Sequence, residues 1–162
     1  MQISGRTTRR TMAVVGVMVA VMVAGAPAQA SDASLRKTII KQEKRIEPEA
    51  TRFAKAVKDP YSAVGIEEFT AALADLRAGV RSYKKAVVKE KATSAKVKRG
   101  RTQFVAALSD ASKALTTYRE GLQFVLDEEP AKAKTTFVRA AAQLKAATRK
   151  GNAAEELIGV DA

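Results

Sequence analysis

Between Ile66 and Val87 the apolar residues Ile66, Phe69, Leu73, Leu76, Val80, Tyr83 and Val87 follow one another at alternating steps of three and four without a break. That spacing keeps one stripe of a helix apolar for about six turns, and no strand can satisfy it, because strand faces alternate every second residue. A second series, Val97, Phe104, Leu108, Ala111, Leu115, Tyr118, Leu122 and Val125, obeys the same rule with one gap at Arg101. Two such stripes must be buried against other helices, so the expected fold class is all-α, an up-down antiparallel four-helix bundle.

The two stripes are in phase. Residues 67–87 and 102–122 align at an offset of 35 with six identities, and 35 is five heptads, so one continuous helix from 66 to 125 is conceivable. Such a rod would be about 90 Å long. Against it, the seam positions between the two series include Glu90, Ser94 and Arg101, which give a helix nothing to bury. The spacing predicts a turn over Ala92 to Lys96 with Thr93 or Ser94 as N-cap. The alignment has two readings, a duplicated helix or two Ala-rich helices filling similar seams alike.

The remaining helices follow from breakers and periodicity. A first helix is expected over 32–58 with Leu35, Ile39, Ile46, Ala50, Phe53 and Val57 on one stripe, kinked or split near Arg45 to Glu47 by Pro48. Asp59-Pro60 stops it and starts the next, at 62–91. The third spans 94–127. Pro130 opens the fourth, 130–150, with Ala133, Phe137, Ala140, Ala141, Leu144 and Ala147 facing inward, and Gly151-Asn152 reads as a C-cap pair before a short terminal turn over 153–159.

Residues 1–30 have another character. Arg6, Arg9 and Arg10 precede an uncharged apolar run from Met12 to Gly25, followed by Ala28-Gln29-Ala30, the pattern of an export signal cleaved after Ala30. Arg9-Arg10 loosely matches the twin-Arg route. The alternative is an uncleaved anchor, since residues 11–31 are uncharged and a helix of about 20 residues spans a bilayer. Either way the chain is expected to be exported and peripherally attached or anchored, with 31–162 forming one bundle domain.

No residue pattern for chemistry emerges. The chain has no His and no Cys, which removes the usual general base, the thiol nucleophile, and most zinc, haem and di-iron ligand sets. Glu67-Glu68 and Asp127-Glu128-Glu129 lie at expected helix starts, where acids complement the dipole. Ser94 and Lys96 lie in too polar a segment for a Ser/Lys dyad. A non-catalytic protein with no cofactor is expected.

Charge is the remaining signal. Without residues 1–30 the chain carries 26 Lys plus Arg and 17 Asp plus Glu, a net +9, which suits an anionic partner. The segment 84–101, KKAVVKEKATSAKVKRGR, holds +7 of charge with Glu90 as its one acid. An up-down bundle gathers at one end Lys84, Lys85, Lys89, Lys91, Lys96, Lys98, Arg99 and Arg101 with Arg36 and Lys37 from the first helix and Arg149 and Lys150 from the fourth. Cations suit the end of helix two, but Lys96 to Arg101 open helix three, where the dipole disfavours each by about 0.3–1 kcal/mol. The basic pole is the candidate binding site, for an anionic membrane surface, a cell-wall polymer or an acidic protein complex. Nucleic acid is disfavoured by export and by the shortage of stacking aromatics. Association into a homo-oligomer is an alternative use of the Ala-rich seams.

The stretches LSDASKALTTYREG and PAKAKTTFVRAAAQL, with the signal ending in Ala-Gln-Ala, resemble the PsbQ-type extrinsic proteins of photosystem II. The resemblance covers roughly residues 66–150. It implies a lumenal up-down bundle docking on the oxygen-evolving complex without a cofactor of its own. The chain lacks the extended Pro-rich segment that precedes the bundle in plant members.

Overall fold

The computed structural model describes residues 27–58 and 60–160. They form four helices, α1 (Pro27–Ala56), α2 (Ala63–Lys89), α3 (Ala95–Leu126) and α4 (Pro130–Ile158), and no strand occurs among the described residues. Neighbours in sequence pack side by side and antiparallel. Ser34 early in α1 donates to Glu90 at the end of α2 at 2.8 Å, and Glu120 late in α3 meets Arg139 early in α4 at 3.4 Å. The architecture is the expected four-helix bundle, and the turn between α2 and α3 excludes the single rod.

Helix ends follow local chemistry. Ser62 and Ser94 are the N-caps of α2 and α3, their hydroxyls accepting from the Gly65 and Val97 N–H groups at 3.0 and 3.3 Å. Ser94, rather than Thr93, therefore fills the expected cap. Pro60 precedes α2 instead of opening it, and Asp59 lies outside the described residues. Pro130 does open α4. After α3 the N–H groups of Glu128 and Glu129 return to the carbonyls of Val125 and Phe124 at 3.2 and 2.8 Å. Glu128 takes the left-handed position (φ 58°) of this Schellman-type end.

Two expectations are corrected. Of the two expectations at Pro48, a kink or two abutting helices, the second is overturned: α1 runs unbroken from Pro27 to Ala56, including Ala28 and Ala30 of the expected cleavage site. Pro48 and Lys44, whose carbonyl loses its usual donor, are both exposed, so the interruption falls on the solvent side of the helix, where it costs least. Helix α4 does not stop at Gly151-Asn152 but continues to Ile158, ending at Gly159 with φ 76°. Continuing buries Ala154 and Ile158 completely, which outweighs the cost of one glycine inside a helix, about 1 kcal/mol.

The core has two parts. In one, each helix contributes a ring, Phe53, Phe69, Tyr118 and Phe137, with Phe53 edge-on to Tyr118 at 5.0 Å between centroids. In the other, Leu35, Ile39, Tyr83, Val87, Val97, Phe104, Ala154 and Ile158 cluster toward the basic end. The 35-residue offset has a spatial counterpart. Its matched Phe and Tyr positions meet across the antiparallel α2–α3 contact, Phe69 with Tyr118 at 6.1 Å and Tyr83 with Phe104 at 5.5 Å.

The closest helix pair, α3–α4, is built from a pattern the apolar seams do not reveal. Gly100, Ala107, Ala114 and Gly121 on α3, and Ala133, Ala140, Ala147 and Ala154 on α4, recur every seventh residue and are all buried. Small side chains allow the backbones to approach. A Cβ at Gly100 would lie 3.0 Å from the Ala154 carbonyl oxygen, and one at Gly121 would lie 2.6 Å from the Phe137 ring. Ala141, expected to face inward, is exposed because it lies beside this column rather than on it.

Candidate functional site

The start of α1 and the α2–α3 turn do meet at one end. Asp32 of α1 accepts from the Thr93 N–H at 2.7 Å, the Thr93 hydroxyl at 3.0 Å and the Ser94 N–H at 3.4 Å. Burial alone would raise this carboxyl, but the hydrogen bonds from Thr93 and Ser94 outweigh it and hold Asp32 below the ordinary carboxylate range. The acid missing from the first turn of α3 is thus supplied by another helix. Glu90 is likewise engaged by the same stretch of α1, accepting from Ser34 and Thr38 at 2.8 Å each.

Two of the expected anion-binding cations serve the fold instead. Arg101 donates to the carbonyls of Val87 and Val88 in the last turn of α2, of which Val87 also accepts from the Glu90 N–H at 3.3 Å. The one gap in the α3 seam is therefore a C-cap reaching across from the next helix. Arg36 does the same for α4, its Nε donating to the Ile158 carbonyl at 2.7 Å.

Arg149 and Lys150 are displaced from the pole by the extra length of α4, nine residues and about 14 Å separating Arg149 from Ile158. Lys150 pairs with Asp110 of α3 at 2.6 Å. That contact, against the smaller effect of burial, lowers the Asp110 carboxyl. The last turn of α4 brings Glu155 and Glu156 to the pole in place of the expected Arg149 and Lys150.

What remains is concentrated at the tip of the α2–α3 hairpin. Lys85, Lys89, Lys91, Lys96, Lys98 and Arg99 are exposed, Lys37 is exposed on α1, and Lys84 is half-buried. No ion pair among the described residues reaches any of these eight. An open hollow of about 510 Å³ lies at the tip, lined by Lys89, Lys91, Lys98 and Arg101 together with Glu90, Thr93 and Thr102. Lysine is a mobile point charge without the planar fork of arginine, so the tip can track diffuse negative charge better than it can grip one oriented carboxylate.

Deeper in the same end, Tyr83 is buried between α2 and its neighbours. Burial first, and then the Glu43 and Glu155 carboxylates, push its phenol far above the ordinary range, so it stays neutral. The opposite pole carries exposed Glu67, Glu68, Asp127 and Glu128. No group of His, Cys, Asp and Glu among the described residues is arranged to hold a metal ion, and no described helix is long and apolar enough to cross a membrane. No family model matches the chain, and neither curated proteins nor solved structures provide a match.

Proposed function

We propose that the protein is an exported, non-catalytic helical bundle that docks electrostatically through the α2–α3 tip onto an anionic envelope surface. One observation carries this reading: the cations the fold needs, Arg36 and Arg101, are used internally, while six more on the hairpin tip are exposed and unpaired among the described residues. Lone cations kept close together repel one another, and nothing in the packing requires them there.

The test is co-sedimentation with envelope from the source cells. Lys91, Lys96, Lys98 and Arg99 are reversed to Glu, with Arg101 left in place because its loss would disturb α2. Binding that is salt-released in the parent and absent in the variant supports the reading. Equal binding by the two refutes it. A PsbQ-like role would be a special case in which the surface is an acidic lumenal complex; the up-down topology supports it, and salt-released recovery with thylakoid membranes is its specific test.

A further inference from the structure

We infer that the surface under the α2–α3 tip is anionic lipid, and that the bundle stands on it end-on. This rests on the docking reading above and adds a partner and an orientation. The direction of α1 is the new observation. Its first residues lie beside the hairpin tip, where Asp32 is bonded to Thr93 and Ser94 and Ser34 to Glu90, so the chain preceding α1 leaves the bundle from the basic pole.

The reach is short. Helix α1 begins at Pro27, four residues before Ser31, which projects it about 6 Å beyond the level of Thr93. The apolar run of the sequence ends at Gly25, and two residues span at most about 7 Å. While that run is engaged in a bilayer, the tip is held close to the headgroups, and long lysine side chains cover much of the remaining gap. The Debye length at physiological ionic strength is about 8 Å, so cations so placed feel the surface potential. The acidic residues Glu67, Glu68, Asp127 and Glu128 are then carried to the far end, away from the same negative field.

The tip has the chemistry of a peripheral contact. Val88 is its one large exposed hydrophobic residue, and no aromatic side chain lies there to enter the acyl region. Attachment by headgroup charge alone is sensitive to salt and additive in cations, each strengthening it about fivefold. After cleavage at Ala30 the same charges keep the same end down.

The absence of cysteine makes the test clean. The full chain is labelled at one introduced cysteine, Ala95→Cys at the tip or Ala131→Cys at the opposite end, both exposed positions. It is reconstituted in vesicles of phosphatidylcholine, with or without about one-third phosphatidylglycerol, and energy transfer to a headgroup dye is measured. With anionic lipid the tip label transfers strongly and the far label weakly. In neutral vesicles and at 1 M salt, where the Debye length is about 3 Å, the short tether before Pro27 still keeps the tip the nearer end, but the bundle tilts freely and the difference narrows. Lys91→Gln, Lys98→Gln and Arg99→Gln together lower the ratio of tip-down to free molecules about a hundredfold, with the helical signal unchanged. Equal transfer from both labels, or tip transfer indifferent to lipid charge and salt, overturns the inference. If that happens while charge reversal still releases the chain from its own envelope, the docking reading stands and its partner is a polymer or a protein. If charge reversal releases nothing, the docking reading itself falls.

Discussion

Gly151→Ala should stabilise the protein, and the reason is geometric. Gly151 lies inside α4, seven residues before its last helical residue, and a Cβ there would sit 4.0 Å from the Cβ of Ala107, an ordinary contact. Alanine exceeds glycine in a helix interior by about 1 kcal/mol, mostly by restricting the unfolded chain. A gain of about 0.5–1 kcal/mol, or about 2–5 °C in Tm for a domain of this size, follows. Urea unfolding followed by far-UV circular dichroism measures it, and the slope with denaturant should not change. Were the chain instead turning in a left-handed conformation at this glycine, as its Gly-Asn pair suggests, alanine would cost about 1–2 kcal/mol. A lowered midpoint would therefore refute the continuous α4. Gly100→Ala calibrates the experiment in the opposite direction. Its Cβ would lie 3.0 Å from the Ala154 carbonyl oxygen and 2.8 Å from Ile158, and backbone cannot swing aside, so overpacking of about 1–3 kcal/mol outweighs the gain in propensity.

Arg101→Ala should cost about 1–3 kcal/mol by leaving the Val88 carbonyl without its Arg101 donor and the Val87 carbonyl with the Glu90 N–H alone; Lys at this position should recover only part, because it lacks the fork. Glu128→Gly should stabilise by about 1 kcal/mol in the same urea assay, since φ 58° suits glycine. Asp32 and Asp110 both have lowered folded-state pKa values, so their stabilising contribution is complete above the unfolded carboxylate range near pH 4 and is lost as pH falls through the folded values. Asp32→Asn should therefore flatten the acid limb of the stability profile, and a limb as steep as the parent's would refute the Asp32 assignment.

The stripes of large residues were legible because leucine, phenylalanine and valine at three-four spacing leave few alternatives. Phe69, Leu73, Leu76, Val80, Tyr83 and Val87 are all buried as their spacing requires. The column of small residues was not legible in the same way. Alanine weighs little in an apolar stripe and glycine reads as a breaker, so Gly151-Asn152 reads as a helix end although Gly151 is a half-buried helical residue facing Ala107. Seventh-residue recurrence of small residues on both α3 and α4 was the available signal. At the pole, charge was visible but partnership was not. Arg101 and Arg99 differ little in sequence, and only the position of the α2 carbonyls makes one a cap and leaves the other exposed. The anion that answers the basic start of α3 comes from Asp32, more than sixty residues away, beyond any local pattern.

The clamp between α1 and the hairpin tip also has a mechanical meaning. A force drawing the residues before Pro27 away from the bundle runs along the axis of α1 and falls first on the Asp32–Thr93, Ser34–Glu90 and Thr38–Glu90 bonds. Those bonds would be loaded together, in shear, and the Arg36–Ile158 bond would pass part of the load to the end of α4. If the first turns of α1 slid free, the tip would lose the Asp32 carboxylate and the hydroxyls that hold Glu90. Arg36 and Lys37 would leave with them, so a pull on the residues before Pro27 would strip both the acid that answers the start of α3 and two cations from the pole, and would loosen the tip rather than tighten its hold.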